Sequence, residues 1–71
     1  MKAHYAASVT YDNDRGEWED SLIMAFNYND LIKDIKALMK RKRHSEVFFA
    51  AFIDNNGREH DITQKAKEET G

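Results

Sequence analysis

The sequence contains no cysteine, no apolar run of the roughly 20 residues that span a bilayer, and no apolar stretch near its start typical of a secretion signal. Without cysteine, disulfide bonds, thiolate metal sites and a cysteine nucleophile are all excluded. These absences predict a soluble, cytoplasmic protein without membrane contact. A chain of 71 residues then depends on one small hydrophobic core for its stability.

Residues suited to catalysis or metal binding are few and poorly placed. The serines lack the motif of a nucleophile elbow, and His60 and Asp61 would point to opposite faces of a strand. The three histidines do not have helical metal-ligand spacing, and the segment 12–19 departs from the calcium-loop pattern. We therefore predict a protein that is not an enzyme and has no catalytic residue, metal site or cofactor.

The spacing of apolar residues changes along the first half of the chain. Residues 2–11 alternate between apolar and polar, as in a half-buried strand, and the segment DNDRG supplies a turn. A second alternation places Trp18, Leu22, Met24 and Phe26 on one side of a strand and Ile23 on the other, which completes a hairpin.

The period becomes helical after Asn27, a good N-cap residue. The apolar positions Tyr28, Leu31, Ile32, Ile35, Leu38 and Met39 share one helical face. A helix is therefore expected from Tyr28 to a residue between Arg41 and Arg43.

A second hairpin follows the helix. Residues 47–53 are apolar on both sides, as in an interior strand, and DNNGR leads into a short polar edge strand. The sequence thus predicts one α+β domain over residues 1–63. It is a two-layer ββαββ fold, with a four-stranded antiparallel sheet of order 2-1-3-4 and one amphipathic helix packed on one face. Residues 64–71 are predicted to be a charged tail, disordered or a frayed helical turn.

The register of the second hairpin has two alternatives. A two-residue turn at Asn56 and Gly57 places Asp61 opposite Phe52 and turns Phe48, Ala50 and Phe52 away from the helix. A three-residue turn over residues 55–57 pairs Asp54 with Arg58 instead. Either register leaves aromatic area on the sheet face that the helix does not cover.

That uncovered face is the predicted interaction surface. We expect its partner-binding residues to include Phe48, Phe52 and Ile23, which would bind a protein partner or a second copy in a homodimer. The alternative is that long neighbouring side chains and the tail cover these rings.

A basic stripe is the second candidate surface. Lys33, Lys36, Lys40 and Arg43 lie within about 80° on a helical wheel. The favoured interpretation is a solvated helix face whose cations complement the helix dipole. The alternative is contact with phosphate or an acidic partner, which would make the protein a nucleic-acid-binding protein. The acidic residues between positions 12 and 20 and the absence of a known motif argue against nucleic acid.

By layout alone, the predicted fold resembles the small α+β accessory proteins that phages and plasmids encode to bind and block host proteins. The resemblance implies a non-enzymatic protein-interaction module, an accessory or inhibitor-type protein of a mobile genetic element.

Overall fold

The computed structural model describes residues 2–71, which form four strands and two helices. The elements are β1 (His4–Asp12), β2 (Trp18–Ala25), α1 (Tyr28–Arg41), β3 (Arg43–Ile53), β4 (Glu59–Asp61) and α2 (Thr63–Thr70). The strands form one antiparallel sheet in the order β2-β1-β3-β4. The α+β class, the ββαββ order and the strand order are confirmed. Neither helix in this part of the chain is long and apolar enough to cross a membrane.

The two hairpins close with the same kind of turn. Asn13 Oδ1 accepts two main-chain N–H groups at 2.8 and 2.9 Å, and Asp54 Oδ1 accepts two at 2.9 Å. Three residues further on, Gly16 and Gly57 have φ angles of 76° and 80°, which favour glycine. Asp54 N donates to Arg58 O at 3.0 Å. The three-residue alternative is therefore the observed register, and the two-residue alternative is wrong.

Helix α1 begins as the sequence predicts. The side chain of Asn27 accepts the main-chain N–H of Asp30 at 2.8 Å and donates to its carboxylate at 2.9 Å. The predicted apolar stripe faces the sheet, and Leu31 and Ile35 are fully buried. Residues Ala7, Val9 and Tyr11 of β1 and Val47 and Ala50 of β3 meet this stripe to form the core.

A β-bulge in β3 explains how residues at odd and even positions of this strand come to face the same side. Ser8 pairs with Phe49, whereas the next residue, Val9, pairs with Val47, so that Phe48 is an extra residue. Because the alternation slips there, both Val47 before the bulge and Ala50 after it turn toward the helices. Phe48 remains largely exposed.

The tail differs from the prediction, since most of residues 64–71 belong to helix α2. Ala66 is fully buried within the core on the same side of the sheet as α1. The Thr63 hydroxyl accepts from Ala50 N at 3.0 Å and donates to Ala50 O at 3.2 Å. The start of α2 thus continues the hydrogen bonding of β3 beyond the short strand β4.

Candidate protein-interaction surface on the open sheet face

The sheet side opposite the helices carries large, exposed apolar side chains. We call it the open face and define it by Trp18, Leu22 and Met24 of β2 and Phe48 and Phe49 of β3. Trp18, Leu22, Met24 and Phe48 are between 59% and 70% exposed, as is Phe26 immediately after β2. They project outward because alternate residues of a strand point to opposite faces, and the intervening residues pack toward the helices.

The open face has the form of a shallow trough. Its floor is the small side chains Ala6 and Ser8 of β1. Ser8 lies between Leu22 on one wall and Phe49 on the other, whereas Ala6 lies between Met24 and the small Ala51, so the trough is walled on one side only at that end. Because neighbouring strands are about 4.8 Å apart, the walls stand roughly 10 Å from each other.

Acidic side chains lie at one end of the trough. Trp18 and Phe48 line a depression of about 260 Å³ together with Thr10 and Asp20. Thr10 pairs with Asp20 on one side and with Glu46 on the other, so the two carboxylates flank the floor. Glu46 also lies 3.7 Å from the ammonium of Lys67, between Oε1 and Nζ. Lys67 thus offsets part of the Glu46 charge, and the trough combines apolar walls with an end whose negative charge comes chiefly from Asp20.

Of the three predicted partner-binding residues, only Phe48 lies on the open face. Phe52 lies on the helix side, where its ring is 4.9 Å from Tyr5 and 5.7 Å from His60 between centroids. Ile23 also faces the helices and packs against the core. The outward placement of Phe52 and Ile23 is therefore wrong.

The sequence analysis missed the role of Leu22 and Met24, although a signal was present. A three-residue turn after Asn13 pairs that residue with Glu17, which fixes the register of the whole hairpin. Ile23 then lies opposite Ala7 on the buried side, and Leu22 lies opposite Ser8 on the outer side. The turn type alone thus determines the faces of β2.

An aromatic cleft lies on the helix side, beside α2. Tyr5, Tyr28, Phe52 and His60 line a cavity of about 380 Å³ with Ile62 and Lys65 at its margin. The Lys65 ammonium is 4.6 Å from the centroid of the Tyr28 ring. Within residues 2–71 the buried Tyr28 hydroxyl has no partner in hydrogen-bonding geometry. Burial, and then the nearby Glu69 carboxylate, raise the pKa of Tyr28 to about 12.

The predicted basic stripe is only partly present. Lys33, Lys36 and Lys40 are exposed along α1. Arg43 is not on the helix, because α1 ends at Arg41 and Arg43 begins β3 opposite Asp12. Its placement in the stripe is therefore wrong.

The acidic turn, residues 12–19, and the basic segment, residues 40–43, lie side by side. Residues 12–15 and 41–43 line one polar depression of about 500 Å³ together with Glu17 and Glu19. His44 Nδ1 lies 2.8 Å from Asp12 Oδ2 in the same region. The two charged clusters, which the sequence separates by some twenty positions, therefore screen each other in the folded protein.

No family model, curated protein or solved structure matches the chain.

Proposed function

We propose that the protein is a non-enzymatic interaction module that binds another protein through the open face. The observation that supports this proposal is the group of large apolar side chains, 59–70% exposed, on one face of the sheet. Contiguous apolar patches above a few hundred Å² are uncommon on monomeric proteins and mark interfaces. An accessory or inhibitor role of the kind that mobile genetic elements encode is compatible with such a surface.

The size of the patch agrees with modest affinity. Covering roughly 400 Å² of apolar surface at about 25 cal/mol per Å² yields about 10 kcal/mol before the costs of association. Those costs are on the order of 4–15 kcal/mol. Binding in the weak to moderate range is the expected result, and its strength depends on how well the partner fits the trough.

The charge at the end of the trough indicates what the partner surface contains. Asp20 and Glu46 flank the Trp18 and Phe48 side chains there. A partner with basic residues beside an apolar segment would satisfy both features. The alternative, nucleic-acid binding by the basic stripe, has less support because Arg43 is not part of that stripe.

A photoactivatable phenylalanine analogue at position 48 tests this proposal in the cells that produce the protein. The expected result is a discrete adduct with another protein, reduced when Trp18→Ser is added. The matched control carries the same analogue at Lys33, an exposed position on the opposite side of the sheet. Absence of an adduct at position 48, or identical adducts at both positions, would contradict the proposal.

A further inference from the structure

Strand β2 is a long edge strand that nothing in residues 2–71 covers on its outer side. It contains 8 residues, whereas β4 at the other edge contains 3 and is continued by Thr63. Natural edge strands are protected by charged side chains, above all lysine, by proline, by bulges or by a covering element. Strand β2 has no proline and no bulge against β1, and its two charged residues, Glu19 and Asp20, both lie in its first half, so residues 21–25 carry none of these protections.

The hydrogen-bond pattern shows which main-chain groups are available at this edge. Asn13 N donates to Glu17 O at 2.8 Å and so closes the hairpin with a bonded pair. Bonded and non-bonded pairs alternate along an antiparallel ladder, so residues 19, 21, 23 and 25 bond to β1. Asp20, Leu22 and Met24 then direct their N–H and C=O groups outward. Leu22 and Met24 also supply exposed apolar side chains to the open face.

We propose that a second copy of this chain pairs its β2 with this edge, antiparallel, about a two-fold axis at Leu22. The pairing joins two four-stranded sheets into one and makes the two open faces continuous. The inference deepens the proposed function and rests on it, because the joined faces form the larger surface that would then bind the partner. An antiparallel pair about a two-fold axis also stops at two copies, since both β2 edges are used and the outer edges left in the dimer are the two short β4 strands.

The charge distribution along β2 favours a second copy as the occupant. Its first half is acidic, with Glu19 and Asp20, whereas residues 21–26 are uncharged. Antiparallel self-pairing sets the acidic half of each copy against the uncharged half of the other. An axis at Asp20 would place two like charges directly opposite each other, which is unfavourable. An axis at Leu22 instead pairs Asp20 with Met24 and Trp18 with Phe26.

A lysine adds a complementary charge in this arrangement. The Lys2 ammonium lies 4.5 Å from the centroid of the Phe26 ring. When Phe26 of one copy lies opposite Trp18 of the other, Lys2 comes to the acidic half of that neighbouring strand. The two-fold axis produces this contact twice.

Disulfide trapping tests the pairing, because the natural chain contains no cysteine. Residues directly opposite each other across an antiparallel pair have Cα atoms about 4.5–5.5 Å apart, within reach of a disulfide. Leu22→Cys is expected to give a covalent dimer under mild oxidation. Thr10→Cys, on the same face but on the inner strand β1, is expected to remain monomeric.

Sedimentation equilibrium on edge variants provides the second measurement. Leu22→Pro removes an outward N–H without breaking a bond to β1, and Met24→Lys adds a protective charge at the edge. Both are expected to shift the mass from dimer to monomer, and circular dichroism shows whether each stays folded. If Leu22→Pro does not fold, Met24→Lys carries the test.

Phe48→Ser separates this inference from the proposed function. It leaves the β2 edge intact, so the dimer is expected to persist, whereas the partner adduct, followed in this variant with the photoactivatable analogue at Phe49 of the same face, is expected to be lost. A dimer that Phe48→Ser abolishes and Met24→Lys keeps would place the second copy on the open face. That result would overturn the pairing of β2 edges and leave the proposed function of the open face standing. A native chain that sediments as a monomer at high concentration, or equal trapping at positions 10 and 22, would also overturn the edge pairing.

Discussion

Asp54 and Asn13 occupy equivalent positions in the two hairpins, but only Asp54 carries a charge. Both side chains accept two main-chain N–H groups and hold their turns closed. Asp54 Oδ2 additionally lies 2.9 Å from His60 Nε2. The hydrogen bond with His60, followed by those from the main chain, lowers the pKa of the Asp54 carboxyl below its ordinary value of 3.8.

This lowered pKa predicts that Asp54 stabilises the fold in a pH-dependent way. The ionised carboxylate is favoured in the folded state, so its contribution is present above pH 3.8 and lost as the pH falls through the folded-state pKa. We expect the stability difference between the natural protein and Asp54→Asn to shrink over that acidic window. Urea melts at a series of pH values measure it.

Asp54→Ala is the control for this prediction. Asparagine keeps an oxygen that accepts the two N–H groups, as Asn13 does, whereas alanine removes it. Asp54→Ala should therefore be less stable than Asp54→Asn at every pH. A constant difference between the natural protein and Asp54→Asn across the acidic range would contradict the assigned role of the charge.

At the scale of single elements, α2 changes the interpretation of the C-terminal segment. The hydrophobic pattern of α2 is weak, because Ala66 is the one residue of this helix that is fully buried in the core. The helix is held by that contact, by Thr63 on the β3 main chain and by the Lys65 ammonium over the Tyr28 ring. All of these contacts join α2 to β3 or α1, so the local sequence of the segment does not reveal them.

Ala66→Arg is expected to lower the free energy of unfolding by about 1–3 kcal/mol or more, because the larger side chain does not fit the core. Glu68→Arg, on the exposed side of the same helix, should change it by no more than about 0.5 kcal/mol. Chemical denaturation of both variants provides the comparison. Equal stability of the two variants would show that α2 does not pack against the sheet in solution.

At the scale of the whole molecule, acidic and basic residues lie close enough to offset each other. The net charge is −2, and the acidic turn lies against residues 41–43 of the basic segment. Only Lys33, Lys36 and Lys40 remain as an exposed basic row on α1. The open face, which carries the exposed apolar side chains of β2 and Phe48, has the carboxylates of Asp20 and Glu46 at one end.

We therefore expect no retardation of mixed DNA or RNA in gels, even at low salt, where phosphate contacts are strongest. Gels at two salt concentrations make the measurement. Retardation that strengthens as salt falls, and that Lys36→Glu abolishes, would instead support the nucleic-acid alternative through the basic row.

The sequence alone predicted the parts of this protein that depend on local periodicity. The change of period at Asn27, its N-cap and the glycines of both turns determine the helix and the hairpins. The buried positions Leu31, Ile35 and Leu38 follow from helical geometry. The strand order was also predicted, because few antiparallel arrangements bury both hairpins under one helix.

The tertiary structure decided the features that depend on register and on distant contacts. The bulge at Phe48 shifts the faces of β3 by one residue, because pairing with β1 requires Val47 and Ala50 on the same side. Helix α2 forms because Ala50 of β3 and Tyr28 of α1 are brought together as its contacts. The open face therefore consists of Trp18, Leu22, Met24, Phe48 and Phe49, and only Phe48 of the predicted set belongs to it. A shift of one residue in a strand reverses every side chain beyond it, and in β3 the pairing with the distant strand β1 fixes that shift.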